Sequence, residues 1–119
     1  MITTRISNLF GLEYPIMSAP MAMHSGGALA AAVSRIGALG SSGGLHPHRG
    51  TDWLLSEIAH IRQTTDRPFG IGFITEFIPR MQGFFEAALE ARPAVIALSF
   101  REPEPRLVRS SGPPRMFGS

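Results

Sequence analysis

Few side chains in this sequence are equipped for chemistry. Nine carboxylates and four histidines are present, and cysteine is absent, which excludes a disulfide framework, a thiolate metal site and a cysteine nucleophile. His46 and His48 in "LHPHRG" stand at a spacing that can bind metal, but no carboxylate or third histidine is close in sequence, so a solvated loop is the better reading. His24 is better placed. It follows the apolar run "EYPIMSAPMA", Glu13 to Ala22, which has two prolines, two methionines and no charge after its first residue. Within that run Pro20 forces Ala19 into an extended conformation and withholds a donor from any sheet, so a strand should end there. As a bare pattern this is a buried strand with a proline stop.

The glycines are the other concentrated signal. "GALGSSGG" carries Gly37, Gly40, Gly43 and Gly44, and "FGIGFI" carries Gly70 and Gly72. None forms G-x-G-x-x-G between a strand and a helix, so a Rossmann dinucleotide site is not indicated. A glycine at a strand end leaves room for a ligand near the backbone, although turn chemistry explains Gly43 and Gly44 equally well.

The elements that must position these residues alternate in type. "PIMSA", "ALGS", "FGIGFI" and "AVIALSF" are short apolar runs closed by small residues, as suits parallel strands buried on both faces. Between them lie three helical patterns. Ser25 can cap a helix with Leu29, Ala32, Val33 and Ile36 on one side, and Thr51 can cap one with Leu54, Ile58 and Ile61 aligned. The third has Pro79 in its opening turn and a stripe of Met81, Phe84, Phe85, Ala88 and Leu89. Trp53 and Phe69 read as packing residues, and Glu76 as a carboxylate leading a helix. "SRIG", "DRPFG" and "ARPAV" each set an arginine at a helix end before a glycine or proline. Repeated β-α units imply an α/β fold with a parallel sheet, either barrel or open.

At 119 residues one modest domain is expected. All eleven basic residues are arginine and the net charge is +2, too small to indicate nucleic acid. No run approaches the roughly 18 apolar residues of a membrane span, so a soluble cytoplasmic protein is expected. The organised part is 1–100. The tail 101–119, "REPEPRLVRSSGPPRMFGS", is rich in proline and arginine without periodicity, and reads as disordered or as out-of-frame translation.

"YPIMSAPMA", then "GGALAAAVSRIGALGSSGG", "DRPFGIGF" and "RPAVIALSF", resemble the first half of the nitronate monooxygenase (2-nitropropane dioxygenase) family. The resemblance runs from Thr4 to about Phe100 and implies the N-terminal half of a (β/α)8 TIM barrel: four parallel strands and three helices, an incomplete barrel. It implies FMN as cofactor, a nitronate and oxygen as small-molecule substrates, and conversion of the nitro compound to a carbonyl.

In such barrels sites form where strands end. The resemblance therefore implies that Ala19, Pro20, Met21 and Ala22 line the FMN, partly through main chain, with the Met21 thioether as soft apolar contact. Gly72 falls where many family members carry a flavin-contacting asparagine, and His24 could face the nitronate. The family's catalytic histidine and phosphate-gripping glycines belong to the second half of the barrel, so this chain is expected to be inactive alone. Alternatives are a catalytically silent fragment or an interaction module self-associating through exposed sheet edges, and a relative of the flavin-dependent enoyl-acyl carrier protein reductases.

Overall fold

The computed structural model describes residues 3–21 and 26–99, and the backbone of 115–118. Its centre is a parallel sheet of four strands in sequence order: β1 (Gly40–Gly43), β2 (Phe69–Ile74), β3 (Val95–Ser99) and β4 (Arg115–Gly118). Gly70 faces Val95 and Gly72 faces Ala97 across β2 and β3, and Gly43 faces Gly72 across β1 and β2. The expected α/β class and parallel pairing are therefore present. "FGIGFI" is β2 from end to end, and β3 lies within "AVIALSF". Strand β4 occupies a stretch where the sequence shows no strand periodicity, and it pairs with β3 from Val95↔Arg115 to Leu98↔Gly118.

The expected first strand is reduced to one parallel bridge, Met17↔Leu39. Leu39 N–H donates to the Ile16 carbonyl at 2.9 Å, and Ser18 N–H donates to that of Leu39 at 3.0 Å. The cause is local. Pro15 and Pro20 have no N–H, so the segment between them is too short in donors to sustain a longer ladder.

Among the described residues there are four α-helices: α1 (Arg5–Phe10), α2 (Gly27–Arg35), α3 (Thr51–Thr64) and α4 (Phe84–Ala91). α1 is absent from the sequence expectation. Its cap is a Thr-x-x-Ser box, in which Thr4 Oγ1 accepts from Ser7 N–H at 3.2 Å while Ser7 Oγ accepts from Thr4 N–H at 2.8 Å. Gly11, at φ 66°, closes the helix in the left-handed region.

α2 corrects the expected apolar stripe. Gly27, Ala30, Ala31 and Ser34 are its buried residues, while Leu29 and Ile36 are 44% and 65% exposed. Close approach is the reason. A Cβ on Gly40 would stand 1.9 Å from the Ala30 carbonyl oxygen, so this helix lies too near β1 for larger side chains. Its cap is Gly26, without a side-chain hydrogen bond; instead the Glu57 carboxylate of α3 accepts from Gly27 N–H at 3.3 Å. Ser25, the expected cap, lies outside the described residues.

α3 keeps the expected buried stripe of Leu54, Ile58 and Ile61, capped one residue earlier than expected, at Gly50. Pro79 sits inside a 3-10 turn, Thr75–Arg80, rather than in the first turn of α4. Gly83, at φ 92°, separates the two, and its N–H donates to the Glu86 carboxylate at 3.2 Å. The core lies between α3, α4 and the sheet, with Phe69, Ile71, Phe73, Ile96 and Leu98 against Leu54, Ile58, Phe84 and Phe85. Among the described residues no helix is long and apolar enough to cross a membrane.

Candidate active site

Parallel pairing brings the carboxyl ends of β1, β2 and β3, at Gly43, Ile74 and Ser99, to one edge of the sheet. The segment through Pro20 reaches this edge. Beyond Ser18 it leaves the ladder: the main chain of Ala19 and Met21 makes no backbone hydrogen bond among the described residues. Ala19 is exposed, Met21 is 49% exposed, and Pro20 is half-buried. A side chain anchors the departure, since Ser18 Oγ accepts from Ser41 N–H at 2.9 Å.

Pro20 has a definite seat. A Cβ built on Gly72 would come within 2.3 Å of both Cβ and Cγ of Pro20, so the ring occupies the volume any side chain at position 72 would need. Gly72 has little main chain to spare either, because its carbonyl accepts from Gly44 N–H at 2.8 Å and it pairs with both neighbouring strands. Glycine at 72 thus permits the proline to lie on the sheet. An asparagine there would require Pro20 to move. Ala22 and His24 lie outside the described residues.

Two features of this edge differ from what the sequence signals. Thr75, the first residue after β2, is buried, and its Oγ1 has no hydrogen-bond partner among the described residues. Such an atom is uncommon, because an unsatisfied buried hydroxyl costs about 1–3 kcal/mol. Its signal is only a threonine closing an apolar run, which is too common to stand out. His46 is half-buried rather than freely solvated. Its ring stands edge-on to Trp53 at 5.1 Å, and its Nδ1 accepts from His48 N–H at 3.1 Å.

Comparisons with known proteins agree with this architecture. The pattern defining the nitronate monooxygenase family matches residues 3–96. A probable nitronate monooxygenase of Staphylococcus aureus strain JH9 is 31% identical over 109 residues, covering 87% of this chain and 29% of the relative. Its counterpart in strain Newman is 33% identical over 104 residues, covering 83% and 28%.

Among solved structures, FabK from Thermotoga maritima superposes with a TM-score of 0.84 at 29% identity, over 99% of this chain and 37% of FabK. Nitroalkane oxidase from Streptomyces ansochromogenes gives a TM-score of 0.67 at 23% identity, over 91% of this chain and 39% of the oxidase, a likeness of fold. The chain spans less than a third of the length of the curated relatives it matches. Its parallel sheet with flanking helices corresponds to the N-terminal part of a TIM-barrel flavoenzyme, and the chain belongs to the nitronate monooxygenase family, a group of flavin-dependent oxidoreductases.

Proposed function

We propose that the protein represented by this chain oxidises alkyl nitronates to carbonyl compounds with FMN and molecular oxygen, and that this chain supplies one rim of the flavin site. The carrying observation is the main chain at Ala19 and Met21, which makes no backbone hydrogen bond among the described residues, beside a proline seated on Gly72 at the carboxyl edge of the sheet. FMN, when bound, supplies the electron-accepting chemistry. The residues present fit one side of a flat heteroaromatic ring: the Ala19 and Met21 main chain, without backbone partners among the described residues, for its polar edge, and the exposed Met21 side chain for its apolar face. By the family resemblance the reading extends to Ala22 for the flavin and His24 for the nitronate, both outside the described residues. Gly72 acts at one remove, by seating Pro20, rather than by touching the cofactor. A cytoplasmic setting accords with the cysteine-free sequence.

The experiment is a titration of the purified chain with FMN, read by the visible flavin bands and by quenching of flavin fluorescence. A saturable, stoichiometric complex is expected, weakened in Gly72→Ala because the added methyl displaces Pro20. A chain that leaves the flavin spectrum unchanged would overturn the rim assignment and favour a silent fragment or an interaction module joined through its sheet edges. A second reading is flavin-dependent enoyl-acyl carrier protein reduction, the other activity that the sequence resemblance allows in this architecture. Oxygen consumption with a nitronate, against NADH or NADPH consumption with an enoyl thioester, separates the two in a protein of full family length.

A further inference from the structure

The opposite edge of the sheet carries a repeated feature to which no function has been attached. Both "DRPFG" and "ARPAV" lead into a strand through Arg-Pro, Arg67-Pro68 before β2 and Arg92-Pro93 before β3. Gly70 pairs with Val95, so each arginine stands three residues ahead of a partnered position, and the parallel register brings the two to the same level. They meet at a cavity of about 410 Å³, lined also by Arg62, Thr65, Asp66 and Phe69. That volume lies in the range of small-molecule sites, about 300–1,000 Å³.

Two of the three guanidinium groups have structural duties. Arg62 donates to the carbonyls of Ala91 and Arg92 at the end of α4, and lies over the Phe69 ring at 5.4 Å from its centre. Arg67 spends one nitrogen on Glu13, at 3.0 Å. Arg92 has no such duty: its side chain makes no hydrogen bond or ion pair among the described residues.

The Arg92 backbone is also held at φ 53°, ψ 59°, the left-handed region, as the only non-glycine there among the described residues. An arginine preceding a proline is doubly disfavoured in that conformation, which glycine would adopt freely. Strain of this kind is sustained where the side chain has work to do.

We propose that this cavity is an oxyanion site for a small molecule bearing a phosphate or carboxylate group, gripped by the forks of Arg92 and Arg67 with Arg62 as a fixed third charge. Planar guanidinium forks match both groups bidentately, which is the chemistry the two ligands share. Asp66, the one carboxylate of the lining, offsets part of the positive charge and presents an acceptor to a hydroxyl of the same ligand.

The test is isothermal titration of the 119-residue chain, at constant ionic strength, with inorganic phosphate, glycerol 3-phosphate and succinate. Saturable one-to-one binding of at least one is expected, and which one binds separates phosphate from carboxylate recognition. Arg92→Gly keeps the fold, since glycine suits this φ, and melting at unchanged or higher temperature verifies that. Its affinity should fall at least about tenfold, the loss expected for a charge-assisted hydrogen bond. Arg92→Lys should lose less, retaining the charge without the fork. Absence of saturable binding by all three ligands, or wild-type affinity in Arg92→Gly, would overturn the proposal.

Discussion

On the helix-covered face of the sheet, Phe69, Ile71 and Phe73 of β2 and Ile96 and Leu98 of β3 interlock with α3 and α4. The alternate positions, which point the other way, are Ser41 and Gly43 on β1, Gly70, Gly72 and Ile74 on β2, and Val95, Ala97 and Ser99 on β3. On β2 and β3 large residues thus fill the helix-covered face, and the other face is mostly small, with Val95 and Ile74 the exceptions. A Cβ on Gly70 would meet Val95 Cγ1 at 2.6 Å and Ser41 Oγ at 2.9 Å, and one on Gly72 would meet Pro20, so the small face is closely covered by neighbouring strands and by the arriving proline. The contrast teaches a division of labour: the helix face holds the strands together, and the other lets a backbone segment come down onto them.

The division predicts unequal costs. Phe73 is 2% exposed and its ring stands edge-on to Phe85 at 5.4 Å. Phe73→Ala should lower stability by about 3–5 kcal/mol, because the aromatic transfer energy is lost and a cavity is left. Urea unfolding followed by circular dichroism measures this, and a loss below about 1 kcal/mol would mean that the helix face does not carry the fold.

A smaller cost is expected where the helix face turns polar. Ser34 on α2 is fully buried, donates to the Pro68 carbonyl at 2.7 Å, and accepts from Gly40 N–H at 2.9 Å. One hydroxyl thus ties α2 both to β1 and to the lead-in of β2. Ser34→Ala leaves the buried Gly40 N–H and the part-buried Pro68 carbonyl without this partner, for about 2–3 kcal/mol in the same unfolding measurement. Ser34→Cys, with its weaker donor, should recover only part.

On the small face the expected effect on stability is lower still and the effect on binding larger. Gly72→Ala forces the Pro20 ring to shift, for about 1–2 kcal/mol, in the range of modest overpacking. If the face serves only packing, flavin affinity changes no more than stability does. If it seats a rim, affinity falls more steeply, and comparing the two in one variant decides between them.

The uneven legibility of the sequence has the same physical origin as this contrast. β2 and the buried stripe of α3 were legible because long apolar runs and a regular helical period depend on local pattern. The buried face of α2 is not legible in the sequence because it is set by how closely β1 approaches, a tertiary distance that favours Ala30 and Ala31 over Leu29. α1 was missed because serine replaces the usual acidic or amide member of its capping box. At the site, Pro20 was legible as a strand stop, and glycine at 72 as a position needing space. What fills that space was not, since no local pattern says that Pro20 folds onto Gly72. His46 looked solvated because its contact with Trp53 depends on how α3 begins.

The smallest expected effect concerns the edge opposite the rim. Arg67 and Glu13 form an ion pair at 3.0 Å with side chains 42% and 47% exposed, so water and salt screen it. The Glu13 backbone is fixed independently, because its N–H and that of Tyr14 both donate to the Gly37 carbonyl, at 2.9 and 3.1 Å. Glu13→Gln should therefore change stability by under about 1 kcal/mol, and by less at high salt. It should also release the Arg67 fork and remove a negative charge beside the cavity of Arg62, Arg67 and Arg92. Oxyanion affinity should then rise a few-fold at low ionic strength, with the gain fading as salt is added. A variant that loses several kcal/mol would show instead that the pair is structural, and that this edge is held together much as the helix face is.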